Sequence, residues 1–443
     1  MQNQGVQTMK YIAISLATTF AAICAHGSTP QLTQVSMTQY PSLRTVVISY
    51  TIDAPAVITL DILTNGVTIG RSVLETVSGD CDCRVEAGTH RFTWQPNLAG
   101  IGERVISLDE GGAQAKLTAW AVNCPPDWMV ADLRADHAKE VRYYASSNSI
   151  PGGIGSDIYK TDKVVLRKIH ARNVEWMMGS DKDEKGRGSD SSYTPYEYLR
   201  RVTLTNDYYI GVYEVTQRQN FNVSGVTNSR FTDEDDSPMR PVDFAHYGSC
   251  RGSKTSDGAF WPDRGHAVGE SSILWNFRQR TGVDFDLPTS AQWEYACRAG
   301  TTTSLNSGKD IVEARNADAF LAEVGWHKGN ASDGYASNQT HVVGLKPPNA
   351  WGLHDMHGNV HEWVLDNVGT VETYATHEPV FDPVGVSVAD RKDVQSHFVR
   401  SGAFNADPYK CRSAATRYLD AWYGPMIGYG LRLVAPAYAP SME

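Results

Sequence analysis

Apolar and polar residues alternate in short runs between residues 30 and 125. The segments LRTVVISYTI (43–52) and AVITLDILTNGVTIG (56–70) are rich in Val, Ile, Thr and Tyr. A period of two residues is typical of strands that bury one face, and the TNG within the second segment supplies a hairpin turn. Short strands separated by Gly, Pro and Asn predict an all-β sandwich of the immunoglobulin or fibronectin type.

The second half of the chain has a different texture, with dense aromatic residues, short strands and turns, and little helical periodicity. Two segments are exceptions. The segment TSAQWEYACRAG (289–300) is predicted to be a helix that Thr289 or Ser290 caps. The segment ESSILWNFRQRTG (270–282) is predicted to be a second helix, which ends at Gly282.

Proline and glycine cluster between the two halves, in CPPDW (124–128) and SNSIPGGIGSD (147–157). Such clusters mark turns and boundaries. The sequence therefore predicts four regions: a signal peptide at 1–27, a β-sandwich domain at 28–127, a linker at 128–156 and a second, α+β domain at 157–437.

The N-terminus has the layout of a secretory signal. Met9-Lys10 precedes the uncharged apolar run YIAISLATTFAAICAHG, which ends in small residues. This layout predicts cleavage near Gly27-Ser28, and a secreted or periplasmic, cell-envelope location; a buried N-terminal helix is the alternative. Since no other run reaches the roughly 18 apolar residues that span a bilayer, the mature chain is not expected to cross a membrane.

The amino-acid composition limits the classes of molecule that the chain is expected to bind. The chain of 443 residues has a formal net charge of −10 and 41% hydrophobic residues. An acidic chain without a long basic run argues against nucleic acid as the main partner. Six cysteines follow the predicted signal peptide, and export would permit disulfides between them.

The segment GLHDMHGNVHEW (352–363) gathers three histidines, an aspartate and a glutamate. On a helix, His357 and His361 would share one face and suit zinc. Gly358-Asn359 lies between them, however, and that pair favours a turn. A helical zinc site is therefore not expected here; a metal-free structural turn and a histidine-bound transition metal are the alternatives that these residues leave open.

Several blocks, in order, resemble the sulfatase-modifying-factor family, to which the formylglycine-generating enzyme belongs. They include YYIGVYEVTQRQNF (208–221), FDLPTSAQWEYACRAGT (285–301), GLKPPNAWGLHDMHGNVHEW (344–363), CRSAATR (411–417) and GYGLRLV (428–434). The resemblance covers about residues 157–437. It implies an α+β fold of the C-type-lectin type, with much irregular loop.

The resemblance also implies a calcium loop. By position, Asp355 and Glu362 would give side-chain oxygens, and Gly358 and Val360 would give backbone carbonyls. Calcium, as a structural ion, is the cofactor that this resemblance predicts.

Active members of the family use two cysteines, five residues apart, to hold copper for an oxygen-dependent reaction on a sulfatase cysteine. Here Ala406 takes the first of these positions, and on a gapless count Cys411 takes the second. One thiolate cannot form a two-sulfur copper site, so copper is not expected. Cys411 would be catalytic only if the chain were still an oxidase.

The resemblance suggests two further structural roles. A family disulfide would join Cys297 to Cys411, if a shift of about two residues is allowed. Three arginines in the family blocks, Arg412, Arg417 and Arg432, are expected to hold loops through salt bridges in preference to binding a ligand.

Three functions compete. The first is an exported family member without the copper oxidase centre, which binds a protein, peptide or glycan. The second is a metal-dependent oxidoreductase that acts on a protein cysteine or a small thiol. The third is a structural protein of the cell envelope.

Overall fold

A computed structural model of the chain describes residues 8–9, 29–40, 44–68, 77–95, 106–107, 113–192, 196–227, 229–233, 235–252, 268–332, 338–368, 379–384, 396–420 and 426–440. Nearly all of the predicted signal peptide lies outside these residues. The chain forms two compact units. The first comprises Met1–Val130, Val141–Ser156 and Ala437–Glu443, and the second comprises Ala131–Glu140 and Asp157–Pro436.

The first unit is built from strands, as the alternating pattern predicts. One sheet has the order β1-β2-β3-β8-β6, and the other has the order β5-β4-β10-β9, with β7 paired to β4. The strands are β1 Thr8–Met9, β2 Leu32–Tyr40, β3 Thr45–Ile52, β4 Ala56–Thr64, β5 Val67–Thr68, β6 Val77–Gly79, β7 Cys83–Val85, β8 Gly88–Trp94, β9 Ile106–Ser107 and β10 Ala113–Ala121.

Strict alternation along β3 creates the core of this unit. Val46, Ile48, Tyr50 and Ile52 are buried, and the residues between them are partly exposed. They belong to one apolar cluster that draws on both sheets and includes Trp94. The expected β-rich sandwich is therefore confirmed.

Residues 437–440 close this first unit. The Ala439 amide donates to the Val122 carbonyl at 2.7 Å, and Arg84 Nη1 donates to the Ala439 carbonyl at 2.7 Å. The segment predicted as a linker contains two strands, β11 (Trp128–Asp132) and β12 (Val141–Tyr144), and is divided between the units.

The second unit mixes short strands with five short helices among its described residues. β13, β16 and β22 form antiparallel pairs in that order, and β14, β15 and β18 form a second sheet. A third sheet has the order β20-β19-β17-β21. These strands are β13 Lys163–Ile169, β14 Val174–Met178, β15 Arg200–Leu204, β16 Tyr208–Gly211, β17 His361–Asn367, β18 Val380–Phe381, β19 Ser396–Arg400, β20 Arg417–Asp420, β21 Tyr429–Gly430 and β22 Val434–Pro436.

The helices are α1 Gln217–Ser224, α2 Tyr247–Arg251, α3 Ile273–Thr281, α4 Ser290–Arg298 and α5 Ala319–Val324. Both predicted helices are present. Thr289 caps α4 through a reciprocal pair of hydrogen bonds with Gln292, and α3 ends at Gly282, whose φ is 70°. In the part of the chain that the structure describes, no helix has the length and apolar character needed to cross a bilayer.

Candidate ligand-binding cleft

The loop before β17 is a turn, as the Gly-Asn pair predicts. Gly358 has φ 86° and Asn359 has φ 61°, and helical backbone cannot pass through two such residues. Only glycine fits at 358, since a Cβ there would lie 1.9 Å from the Trp326 carbonyl oxygen. His357 and His361 therefore do not share a helical face.

Two of the three histidines of this loop, His357 and His361, are buried, and His354 is partly buried. His354 stacks on Tyr213 with ring centroids 5.1 Å apart, and His361 stacks on Tyr429 at 4.8 Å. Burial lowers the pKa of His357 to about 4 and that of His361 to about 3. All three are neutral at pH 7, since burial also lowers the pKa of His354.

Both ring nitrogens of His357 are occupied. Nε2 accepts the Asn306 amide at 3.0 Å, so Nδ1 carries the proton and donates it to the Cys411 carbonyl at 2.7 Å. No lone pair is left for a metal ion.

Glu362 is committed to a buried ion pair. Arg432 approaches both of its oxygens at 2.8–3.1 Å, and Trp293 Nε1 donates to Oε2 at 2.6 Å. Arg432 also donates to the carbonyls of Gly211, Val212 and His354. The bonds from Arg432 and Trp293 fill the acceptor positions of the Glu362 carboxylate.

Asp355 differs from Glu362. Its Oδ2 accepts the Gly344 amide at 2.6 Å, and its buried Oδ1 has no hydrogen-bond partner among the described residues. Glu214, which the sequence did not single out, lies in the same charge cluster and holds the turn through Asn359 Nδ2 and the Val360 amide. Burial raises the pKa of Asp355 to about 6, and burial with the neighbouring Asp355 and Glu362 raises that of Glu214.

The residues fit the expected calcium site only in part. The free Oδ1 of Asp355 and the excess of carboxylates favour a cation. Glu362 does not fit, because Arg432 already occupies it, and the Gly358 carbonyl accepts the Ser401 hydroxyl at 2.9 Å. The four-ligand set predicted by resemblance therefore reduces to Asp355 with carbonyl groups.

The expected disulfide between Cys297 and Cys411 is wrong for this structure, in which both are free thiols. Cys297 Sγ lies 3.7 Å from Ser413 Oγ, so a serine two residues after Cys411 lies opposite Cys297. Neither Cys81 nor Cys83 forms a disulfide.

Ala406 and Cys411 belong to one apolar cluster with Leu305, Ile311 and Leu321. Burial raises the pKa of the Cys411 thiol to about 12. A buried, protonated thiol in apolar surroundings is a poor nucleophile and a poor metal ligand. Positions 406 and 411 are here part of an apolar core.

A solvent-open cleft of about 400 Å³ lies in the same unit. It is lined by Gly186, Gly188, Asp190, Glu197, His361, Val399, Gly402, Tyr409, Lys410, Arg412, Ala415, Thr416 and Arg417. This volume includes space that is open to solvent, so the cleft is a shallow surface feature. Of the sequence-predicted residues, the cleft gathers Arg412 and Arg417 but neither Asp355 nor Cys411.

Arg412 forms the rear of the cleft and has its own partners. Its Nη2 donates to both oxygens of Glu197 at 2.9 and 3.0 Å, and its Nη1 binds Glu184. Arg412 and Arg432 therefore hold loops, as expected. Arg417 does not, because it makes no ion pair with any residue that the structure describes.

Comparison with known proteins found a matching family model, related proteins and similar solved structures. The model of the sulfatase-modifying factor enzyme 1-like domain matches residues 175–437, more than half of the chain. A protein of Paenibacillus barcinonensis named chaperone protein LppX is 32% identical over 189 residues, which are 37% of this chain and 63% of the relative. The formylglycine-generating enzyme of Mycobacterium tuberculosis is 35% identical over 20% of this chain and 28% of the enzyme.

The chain thus spans less than two thirds of the length of these two relatives. Among solved structures, PvdO from Pseudomonas aeruginosa is similar over 61% of this chain and 94% of its own, with 22% identity and a TM-score of 0.46.

Proposed function

The chain belongs to the sulfatase-modifying factor enzyme 1-like family, and from this premise we propose that it is an exported member without the copper oxidase centre, which binds a protein, peptide or glycan. Its second unit has the mixed α and β organisation of that family, and its first unit is β-rich. Export rests on the signal-like pattern of residues 1–27.

The observation that carries this proposal is which residues occupy positions 406 and 411 and how deeply Cys411 is buried. Ala406 supplies no sulfur, and Cys411 is fully buried in an apolar cluster with a raised thiol pKa. Copper(I) needs soft thiolate ligands. The oxidase reaction of active relatives would therefore lack its metal site.

The cleft supports a binding role. It offers an open volume, an aromatic wall at Tyr409 and hydrogen-bonding side chains, which is the usual composition of a ligand site. The relative named a chaperone protein supports a role in contacting other molecules, although it matches only 37% of this chain.

Oxygen consumption by the copper-loaded protein tests the loss of the oxidase. The substrate is a cysteine-containing sulfatase peptide, and the product is followed by mass spectrometry. The wild-type protein is expected to give no copper-dependent turnover. Turnover above that of the Cys411→Ser variant would contradict the proposal and favour the oxidoreductase alternative.

Binding without turnover separates the proposal from a purely structural role. Peptide and glycan arrays are probed with the wild-type protein and with a variant that fills the cleft, Gly188→Trp. Gly188 lines the cleft, and a Cβ there meets no atom within 4 Å, but its φ of 80° strains any other residue. Circular dichroism and the melting temperature therefore establish that this variant is folded before the arrays are probed. We expect binding by the wild type that the variant loses.

A further inference from the structure

Arg417 is the first residue of β20 and lines the cleft. Its Nε is buried and has no hydrogen-bond partner among the described residues. The residue as a whole is partly exposed, but a buried N–H without a partner is unfavourable unless an acceptor reaches it. The guanidinium is therefore poised to receive an acceptor from the cleft.

Thr416, which precedes Arg417, repeats this feature. Its side chain is 8% exposed, and its Oγ1 also has no hydrogen-bond partner in the described part of the chain. Two adjacent unpartnered donors on the wall of one cleft are a built feature, because buried polar groups in proteins are usually paired. An acceptor that reached both would satisfy them together.

Lys410 adds a second positive charge. Its ammonium group lies 5.4 Å from the centre of the Tyr409 ring and forms no ion pair with a described residue. Since Arg412 is already paired with Glu197 and Glu184, Lys410 and Arg417 are the cations of the lining that remain available.

The pKa of His361 shows the electrostatic effect of the cationic side chains of the cleft. Burial is the main cause of its lowered pKa, and Arg417 and Lys410 lower the pKa further. Of the two lining acids, Glu197 is paired with Arg412, and Asp190 keeps its charge while it accepts the Ser192 amide at 3.2 Å. Arg412, Lys410 and Arg417 therefore face Glu197 and Asp190, so the lining has an excess of one positive charge, although the whole chain carries −10.

We propose that the cleft binds a compact ligand through an oxyanion, a carboxylate, phosphate or sulfate group held by Arg417, Thr416 and Lys410. Arginine suits such groups because its planar fork donates two parallel hydrogen bonds. This inference rests on the proposed binding function and names its ligand class.

Four probes that share one sugar ring test the inference: glucose, glucuronate, glucose 6-phosphate and glucose 6-sulfate. Their binding to the full-length protein is measured by calorimetry at low and physiological salt. The anionic sugars are expected to bind at least tenfold more tightly than glucose, and more weakly as salt rises, because salt screens the charges. Comparing the affinities of the three anionic sugars shows which oxyanion, the carboxylate, the phosphate or the sulfate, binds most tightly.

Variants assign the binding to the wall of the cleft. Arg417→Gln is expected to weaken the binding of the favoured anion roughly tenfold or more, which is the range for a charged hydrogen bond. Lys410→Gln and Thr416→Val should weaken it less. Arg201→Gln is the matched control, because Arg201 lies outside the cleft, is half-exposed and pairs with Glu175.

The outcomes separate the two proposals. Equal affinity for glucose and the anions, no binding of any anion, or anion binding that Arg417→Gln leaves unchanged would overturn the oxyanion site. If arrays then still showed a ligand in the cleft, the proposed binding function would stand without it. Anion binding together with copper-dependent turnover would instead keep the oxyanion site and overturn the loss of the oxidase. Circular dichroism and melting temperature confirm that each variant is folded.

Discussion

Three arginines of the family blocks show how much the partners of one residue type can differ. Arg432 is fully buried and pairs with Glu362 through several hydrogen bonds. Arg412 is also buried and pairs with two glutamates. Arg417 has no ionic partner among the described residues. The same residue type holds loops in two places and faces an open cleft in the third.

Arg432→Met is expected to destabilise the protein by about 3–5 kcal/mol, because it leaves the Glu362 carboxylate buried without a counter-charge. Urea denaturation at pH 7 measures this loss. The control is Lys309→Met, which removes an ion pair with Glu323 whose side chains are 42% and 50% exposed. Such exposed pairs contribute about 0–1 kcal/mol. Similar losses in the two variants would contradict a structural role for Arg432.

His361→Phe tests the neutral state of the loop histidines. The pKa of His361 falls to about 3 in the folded protein, below its ordinary value of 6.5. Its contribution to stability is therefore complete above pH 6.5 and is lost as the pH falls toward 3. Phenylalanine keeps a ring against Tyr429 but binds no proton.

Between pH 7 and pH 4, the wild type is expected to lose about 3 kcal/mol more stability than His361→Phe, if the whole shift is realised. Denaturation curves at several pH values give this difference directly. Parallel pH profiles for the two proteins would show that His361 takes up its proton while folded.

The segment Gly352–Trp363 acts as one structural element, a turn that leads into β17. Glu214 binds it at Asn359 and Val360, and Arg432 binds it at His354 and Glu362. Close backbone packing at Gly358 fixes it against Trp326. The element is held by charge and backbone geometry, and His354 and His357 add hydrogen bonds to the Lys346 and Cys411 carbonyls.

Calcium remains a prediction for this turn, with Asp355 as its side-chain ligand. Calcium is expected to raise the melting temperature of the chelator-treated wild type, since a ligand at 100 times its Kd stabilises by about 2.7 kcal/mol. Asp355→Asn should abolish this response while still accepting the Gly344 amide. Asp181→Asn, at an exposed acid, is the control. An unchanged melting temperature would mean that Arg432 compensates the charge without a metal.

The N-terminal cap of α4 gives a second test of a single structural element. Thr289→Ala removes the side-chain half of the reciprocal pair with Gln292 and is expected to cost about 1 kcal/mol. Thr302→Ala, at an exposed threonine, should change stability by less than about 0.5 kcal/mol. Urea denaturation of both variants compares the two losses, and equal losses would show that the cap does not stabilise α4.

Local patterns predicted these elements well, because their causes are local. Alternation placed the strands of the first unit, and Thr289 and Gly282 marked helix ends. Gly358-Asn359 showed that the loop is a turn. Each of these depends on residues a few positions apart.

The candidate site was harder to predict because its contacts are long-range. Nothing near Glu362 in sequence indicates that Arg432 occupies it, and nothing near Cys297 shows that Ser413 lies opposite. The cleft combines residues from about 186 to 417. Arg417 stood in a recognised block, but a buried donor without a partner can be seen only in three dimensions.

For the whole molecule, buried thiols offer a probe of global unfolding. Cys81, Cys250, Cys297 and Cys411 are free and buried, and Cys83 is partly exposed. Burial also raises the pKa of the four buried thiols, so both access and thiolate content are low.

Alkylation of the native protein is therefore expected to label Cys83 and spare these four, which should react only at the rate of unfolding. Peptide mapping by mass spectrometry identifies the labelled sites, and Cys83→Ser is the control. A second sample is denatured without reductant. If Cys297 and Cys411 stayed unlabelled there, a disulfide would join them and the free-thiol state would be wrong.

The first unit contains residues from both ends of the described chain, because Ala439 bonds to Val122 and Arg84. During translation, the strands of residues 30–121 leave the ribosome long before residue 439 exists. The second unit must be synthesised in between, and domains generally fold as units while the chain grows. The two hydrogen bonds of Ala439 therefore cannot form in the first unit until the second unit, which ends at Pro436, has been translated.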